Sequence, residues 1–339
     1  MVWLNATEFL RHADAHGALR LRPDQVRSAE RSRHRRSRHS SGRGHVADGH
    51  LSGRGARSAR WHVVTIVAQR QRSALTCNRL HGRVHPMSRS VDPWIQVYND
   101  RGSLGAAAAA DIAAELRGVL AAQGSARMIF AAAPSQQEML EALIQAPNID
   151  WSKVTVFHMD EYLGLPAAAP QRFGSWLQST IFDHLPFGAV HLIDAADQAE
   201  AESAVRRYAG LLGAAPIDLV CLGIGVNGHI AFNDPLVADF TDPSAVKVVE
   251  LDEICRQQQV DDECFGTLSQ VPMRAVTLTV PTLIAAPRLF CVVPGAAKAI
   301  AVRATLYDRI GTHCPSTILR THRGCTMYLD RQSAALLCA

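Results

Sequence analysis

The stretch Gly223-Ile224-Gly225-Val226-Asn227-Gly228-His229-Ile230-Ala231-Phe232-Asn233-Asp234-Pro235 decides how this chain reads. It follows an apolar run, residues 217–222, with the character of a buried strand. A glycine-rich turn therefore leaves the carboxyl end of a strand and at once presents an amide, a histidine and a carboxylate. In open α/β sheets ligands bind at that edge. Glycine lets backbone approach a ligand closely, which makes Gly228 a candidate substrate contact. Histidine is the side chain most easily poised for proton transfer near neutral pH.

The same residues satisfy a dinucleotide fingerprint literally, Gly223-x-Gly225-x-x-Gly228. That fingerprint requires a long helix opening at the third glycine. Here Pro235 follows within a few residues and disfavours helix just before it. The turn also lies deep in the chain, after several strand–helix units. Nucleotide binding is not expected.

Working outward, strands are expected at residues 94–98, 128–132, 154–158, 190–193, 217–222, 276–280, 289–293 and 326–329. Helices are expected at 104–122 with Ser103 as cap, from 136, at 173–184, 198–212, 296–306 and 316–321. Such alternation predicts an α/β fold: a three-layer, Rossmann-like, mainly parallel sheet with helices on both faces. Residues 87–339 form the expected single catalytic domain.

Residues 1–86 differ in texture. They hold 17 Arg, no Lys and 5 acidic residues, a net charge of +12, whereas the remainder holds 18 basic and 26 acidic residues, a net of −8. Residues 30–60 have almost no aliphatics and cannot offset their ordering entropy by burial. The extension is expected to be disordered, or to come from upstream or wrong-frame translation with Met87 as the true start. Arginine blocks can bind nucleic acid, but no helix-turn-helix pattern accompanies this one, and nucleic acid is not the expected partner. No apolar stretch is long enough to span a membrane. Glu8, Arg11, His12 and Asp14 interrupt any signal-peptide core. The eight cysteines include no C-x-x-C pair, and Cys221 and Cys291 read as reduced core thiols. A cytoplasmic location is the expectation.

Three further segments carry candidate chemistry. Asp160 and Glu161 follow the strand at 154–158, so one carboxylate can face a ligand while the other anchors the loop. With His229, Asn227 and Asp234 they gather acid/base groups on one rim. Ser135-Gln136-Gln137-Glu138 joins a strand to a helix; Ser135 and Glu138 have capping-box spacing, and the helix start suits a phosphate. Lys298 lies in the first turn of a helix after Gly295, where a cation opposes the helix dipole and calls for an anion.

Met159-Asp160-Glu161-Tyr162, the 225–233 turn and Gly295-x-x-Lys298-Ala299, in this order, resemble the glucosamine-6-phosphate deaminase (isomerase) family, which shares its fold with the 6-phosphogluconolactonases. The resemblance covers about residues 93–330. It implies aldose–ketose isomerisation with loss of ammonia from a sugar phosphate, without metal or organic cofactor. Asp160 then matches the base that moves a proton from C2 to C1, and His229 the group that assists ring opening. Lys298 and the Ser135 loop match phosphate contacts. A homo-oligomer is compatible with it.

Four positions depart from that pattern. Asn227 stands where the family has aspartate, so the imidazole is expected to lack a carboxylate partner that Asn227→Asp would restore. Asp234 replaces a glutamate. Ser135-Gln136-Gln137 replaces threonine and glycines. Gln259 stands where an arginine is expected, with Arg256 one helical turn away as its substitute. Two alternatives stay open: a sugar-lactone hydrolase in which His229 activates water, and a non-catalytic sugar-phosphate sensor.

Overall fold

The computed structural model describes residues 94–195 and 198–337; the expectations for residues 1–86 lie outside them. The described residues all fall in one compact unit. The main sheet has seven strands: β1 (Ile95–Tyr98), β2 (Ala126–Phe130), β3 (Val154–His158), β5 (Ala189–His191), β6 (Leu219–Leu222), β9 (Arg288–Val293) and β10 (Cys325–Asp330). Their order is β1-β10-β9-β6-β2-β3-β5, and every pairing is parallel. A second sheet, antiparallel and ordered β4-β8-β7, comprises β4 (Asp160–Tyr162), β7 (Val246–Glu250) and β8 (Arg274–Leu278). The helices are α1 (Arg101–Gln123), α2 (Gln137–Ile144), α3 (Phe173–Thr180), α4 (Ala201–Gly213), α5 (Glu253–Asp261), α6 (Val280–Ile284) and α7 (Ala299–Tyr307).

Side chains alternate across a strand, and here the alternation builds two cores. Met128, Phe130, Leu219, Cys221, Phe290 and Val292 enter one, with Leu104, Ile112 and Leu116 of α1 and Leu140 of α2. Ile129, Val220, Leu222, Leu289, Cys291 and Val293 enter the other, with Tyr208 and Leu212 of α4 and Val302 of α7. Neighbouring residues of one strand thus face opposite layers. The expected three-layer α/β arrangement is what the chain forms. Cys221 and Cys291 are buried free thiols. No helix among the described residues is long and apolar enough to cross a membrane.

Several local expectations are corrected. Asp100, not Ser103, caps α1; its carboxylate accepts the Ser103 N–H at 2.8 Å, and Ser103 answers from the third helical position. Ser135 and Glu138 form no capping box. Residues Pro134–Gln136 make a 3-10 turn without a side-chain cap, and Glu138 instead pairs with Arg101 at 2.6 Å. The helix expected over 173–184 stops at Thr180, because Ile181 leaves helical backbone to bury its side chain completely. The strand expected at 276–280 belongs to the antiparallel sheet and ends at Leu278.

Candidate active site

Adjacent strands β2 and β6 send their chains to opposite sides of the sheet, β2 on to β3 and β6 across to β9. Ligand crevices form where the strand order reverses in this way. The loops after β2, β6 and β9, with Asp160 just beyond β3, line one cleft of about 590 Å³, counted to its open mouth. Ser135, Gln136, Asp160, His229, Gln259 and Lys298 all face it.

The Gly223 turn opens no long helix. The Gly225 N–H donates to the His229 carbonyl at 2.9 Å, and Gly228 N–H to the Gly225 carbonyl at 3.0 Å. Gly228 has φ 80°, a left-handed conformation for which glycine is the natural residue. Gly225 is needed for another reason: a Cβ there would lie 2.3–2.4 Å from the His229 ring. Asn233 then locks the turn to the second sheet, donating to Ile230 at 2.9 Å and Leu278 at 2.8 Å. The segment that looked like a nucleotide fingerprint is a cradle for one imidazole.

Behind that imidazole lies Asp234, fully buried, with Oδ1 2.9 Å from His229 Nδ1. The approach is oblique, and Nδ1 has no partner in hydrogen-bond geometry. Burial raises the Asp234 carboxyl, but His229, the Asn227 amide and the Asp252 N–H together outweigh it and hold the pKa below the ordinary value. The expectation that the imidazole lacks a carboxylate is therefore corrected: Asp234 supplies it from five residues downstream. Asn227 has a different task. Its Oδ1 accepts the His229 N–H at 3.0 Å, while Nδ2 donates to Asp234 at 3.0 Å and to Asp252 at 3.2 Å. Asp252 in turn caps α5, accepting the Cys255 N–H at 2.6 Å.

The two adjacent carboxylates separate as a strand requires. Asp160 faces the cleft and receives no hydrogen bond from the protein among the described residues. Burial, then the charge of Glu161, pushes its pKa well above the ordinary carboxylate value. Glu161 points away. It accepts the Tyr162, Phe173 and Gly174 N–H groups at 2.9, 3.1 and 2.9 Å, and Arg172 lies 3.5 Å away. Glu161 is thus not placed for catalysis; it ties the β4 loop to α3.

Lys298 is buried, and its ammonium has no ion pair or hydrogen bond among the described residues. Burial depresses its pKa, opposed by Asp262 and Cys255. Ser135 and Gln136 line the cleft nearby, Gln136 anchored to the Val292 carbonyl at 3.1 Å. Gln137 does not line it; its half-buried side chain donates to Glu141 at 2.6 Å instead. Arg256 is corrected as well. Its guanidinium donates to the Leu268 and Val271 carbonyls at 2.6 and 3.0 Å, bracing the loop beyond α5. Gln259 occupies the cleft wall instead and accepts the Tyr162 hydroxyl at 2.7 Å.

Sequence reasoning missed Gln258, Asp252 and Asp262, and gave Tyr162 no role beyond its place in the Met159–Tyr162 motif. The Asp252-x-x-Cys255 spacing before a helix was a usable signal for the cap. Nothing local marks Gln258 or Asp262.

Together these groups define a small-molecule site of the doubly wound α/β class, with a carboxylate of raised proton affinity, a histidine–carboxylate pair and an unpaired cation on one rim. The family described as glucosamine-6-phosphate isomerases/6-phosphogluconolactonase has a model that matches residues 99–328, and the chain belongs to that family. A glucosamine-6-phosphate deaminase of Bacillus cereus (strain G9842) is 35% identical over 189 residues, 56% of this chain and 70% of that protein. A deaminase of the same name from Bacillus thuringiensis (strain Al Hakam) matches to the same extent. Among solved structures, a monomeric glucosamine-6-phosphate deaminase superposes with TM-score 0.65 at 27% identity, over 71% of this chain and 99% of that one. The 6-phosphogluconolactonase of Trypanosoma brucei reaches TM-score 0.60 at 20% identity, over 74% and 100%; that likeness concerns the fold alone.

Proposed function

We propose that this chain is an enzyme that isomerises and deaminates an amino-sugar phosphate, converting glucosamine 6-phosphate to fructose 6-phosphate and ammonia. The observation that carries the proposal is Asp160: a carboxylate of raised proton affinity, free of protein donors, in the same cleft as His229 and Lys298. The relatives named deaminase support it.

His229, backed by Asp234, shuttles the proton that opens the sugar ring between O5 and O1. Asp160 takes the proton from C2 and returns it to C1, while the amine gives up a proton and O1 gains one, turning the amino aldose into a ketose imine. Water adds at C2, and the C2–N bond breaks to release ammonia. Because burial favours its protonated form, Asp160 is suited to hold that proton between the two steps. Lys298 and the start of the Pro134–Gln136 turn receive the phosphate, whose charge offsets an otherwise unpaired ammonium. Neither a metal nor an organic cofactor enters this sequence, and a cytoplasmic location accords with the substrate.

The test is to incubate the purified protein with glucosamine 6-phosphate and measure ammonia and ketose. Equal amounts are expected, and Asp160→Asn should slow both by roughly 10²–10⁴-fold while leaving the protein folded. Ketose without ammonia would restrict the enzyme to isomerisation. Hydrolysis of a sugar lactone in place of both would replace the proposal with the lactonase alternative.

A further inference from the structure

We propose that His229, Asp234 and Cys255 form a binding site for a soft divalent cation such as Zn2+, and that its occupancy arrests the enzyme. Cys255 lies in the first turn of α5, completely buried, and the proton-transfer scheme gives it no task. Yet one ligand atom from each of these three residues lies within 4.8 Å of the other two. The Nδ1 of His229 is buried there without a partner in hydrogen-bond geometry, 2.9 Å from Asp234 Oδ1.

An imidazole nitrogen, a carboxylate oxygen and a thiolate are the donors that zinc takes, at about 2.0–2.3 Å each. In a tetrahedral shell those donors lie about 3.3–3.8 Å apart, so closing around an ion requires only small side-chain shifts. A thiolate among the ligands selects zinc or cobalt over magnesium and calcium. The backbone around the three residues is already fixed. The Asp252 cap holds the Cys255 amide at 2.6 Å, and the Asn227 amide holds both Asp234 and the His229 N–H at 3.0 Å. A supported ligand set of this kind needs little reorganisation.

The proton balance follows from the ligands. The ion forms bonds to Nδ1, Oδ and Sγ. The S–H bond breaks, and its proton leaves to solvent. An Nδ1 proton, where present, moves to Nε2, the nitrogen left for the cleft. With Nδ1 metal-bound and Nε2 protonated, the ring has no lone pair with which to accept a proton. Arrest of turnover therefore rests on the role proposed for His229; the binding itself does not.

The experiment uses the full chain, stripped with a chelator and titrated with Co2+ and then Zn2+. The other His and Cys residues, of 15 and 8 in all, give cobalt further places to bind, so the comparison with Cys255→Ser and Cys255→Ala decides. The wild type is expected to develop a near-ultraviolet thiolate-to-cobalt band that saturates at one ion and vanishes as Zn2+ replaces cobalt. Both variants should lose the band and bind more than about 100-fold more weakly, beyond the roughly 10–100-fold that loss of a supporting partner costs. Both should keep turnover in chelator and ignore added Zn2+. Absence of the band in the wild type, or a band of equal strength in both variants, overturns the site. A band that depends on Cys255 without any loss of turnover keeps the site and removes His229 from proton transfer.

Discussion

Asp160 carries a stability cost tied to its chemistry. Its pKa is raised by burial and by Glu161, so the folded state binds its proton more tightly than the unfolded chain does. The fold is unpenalised in acid, below the unfolded carboxylate pKa, and loses stability as pH climbs toward the raised value. Asp160→Asn removes that loss while abolishing the base. The variant should melt above the wild type, with a gap that widens as pH rises past the unfolded carboxylate value of about 4. A constant or reversed gap over that rise would mean that Asp160 is not the strained group. Asn227 gives the opposite lesson. An aspartate there would face Asp234 and Asp252, which now accept its amide at 3.0 and 3.2 Å. Three carboxylates would then share one buried corner. Asn227→Asp is expected to lower both kcat and melting temperature, with partial recovery of stability in mild acid. Faster turnover would instead restore the idea of a missing carboxylate.

Among the elements, the β6 turn couples glycine placement to catalysis most directly. Gly225 does not have the positive φ of Gly228, so alanine fits its backbone. The cost falls on the His229 ring, 2.3–2.4 Å from the new methyl. Gly225→Ala should displace the imidazole and reduce kcat by about 10²-fold, with little change in melting temperature. Gly228→Ala should lose both, since its φ is 80° and its Cβ would meet Cys314 Sγ at 2.4 Å. Kinetics beside thermal melts of the two variants separate the cases. The parallel strands and their carboxyl-end loops were legible in the sequence because each is an apolar run followed by glycine or a polar turn. Of the antiparallel sheet only β8 was, as the strand expected at 276–280. β4 has three residues, and β7 and β8 pair across loops without a local pattern. Helix α5 was missed because its sequence is almost wholly polar. Asp160, His229 and Lys298 were found as cleft residues because each follows a strand end. The errors over Arg256 and Glu161 share one cause: Arg256 bonds Leu268 and Glu161 bonds Phe173, each 12 residues on, whereas Asn227 was misjudged because Asp234, only seven residues on, turns back to the imidazole when the loop folds.

For the whole molecule, the first strand among the described residues begins at Ile95 and the family match at residue 99. The acidic remainder and the arginine-rich extension are compositionally unlike each other. Deleting residues 1–86 is expected to leave turnover unchanged and melting within a few degrees. A larger fall, equivalent to about 1 kcal/mol or more at this size, would make the extension part of the fold. A peptide from residues 1–86 found by mass spectrometry of the native protein would rule out translation from Met87.

The largely buried Lys298 side chain has a consequence beyond catalysis. Without an anion, the folded chain holds a poorly solvated charge whose burial Asp262 and Cys255 offset only in part. Whatever anion fills the cleft then acts as a folding aid as well as a reactant. Saturation at about 100 times the dissociation constant adds roughly 2.7 kcal/mol to the folded state, a large share of a typical domain's margin. The lifetime of such a protein in a cell would rise and fall with its substrate supply, because proteases find the unfolded fraction first. Scarcity of the sugar would thin out the enzyme that consumes it, with no change in how much is made.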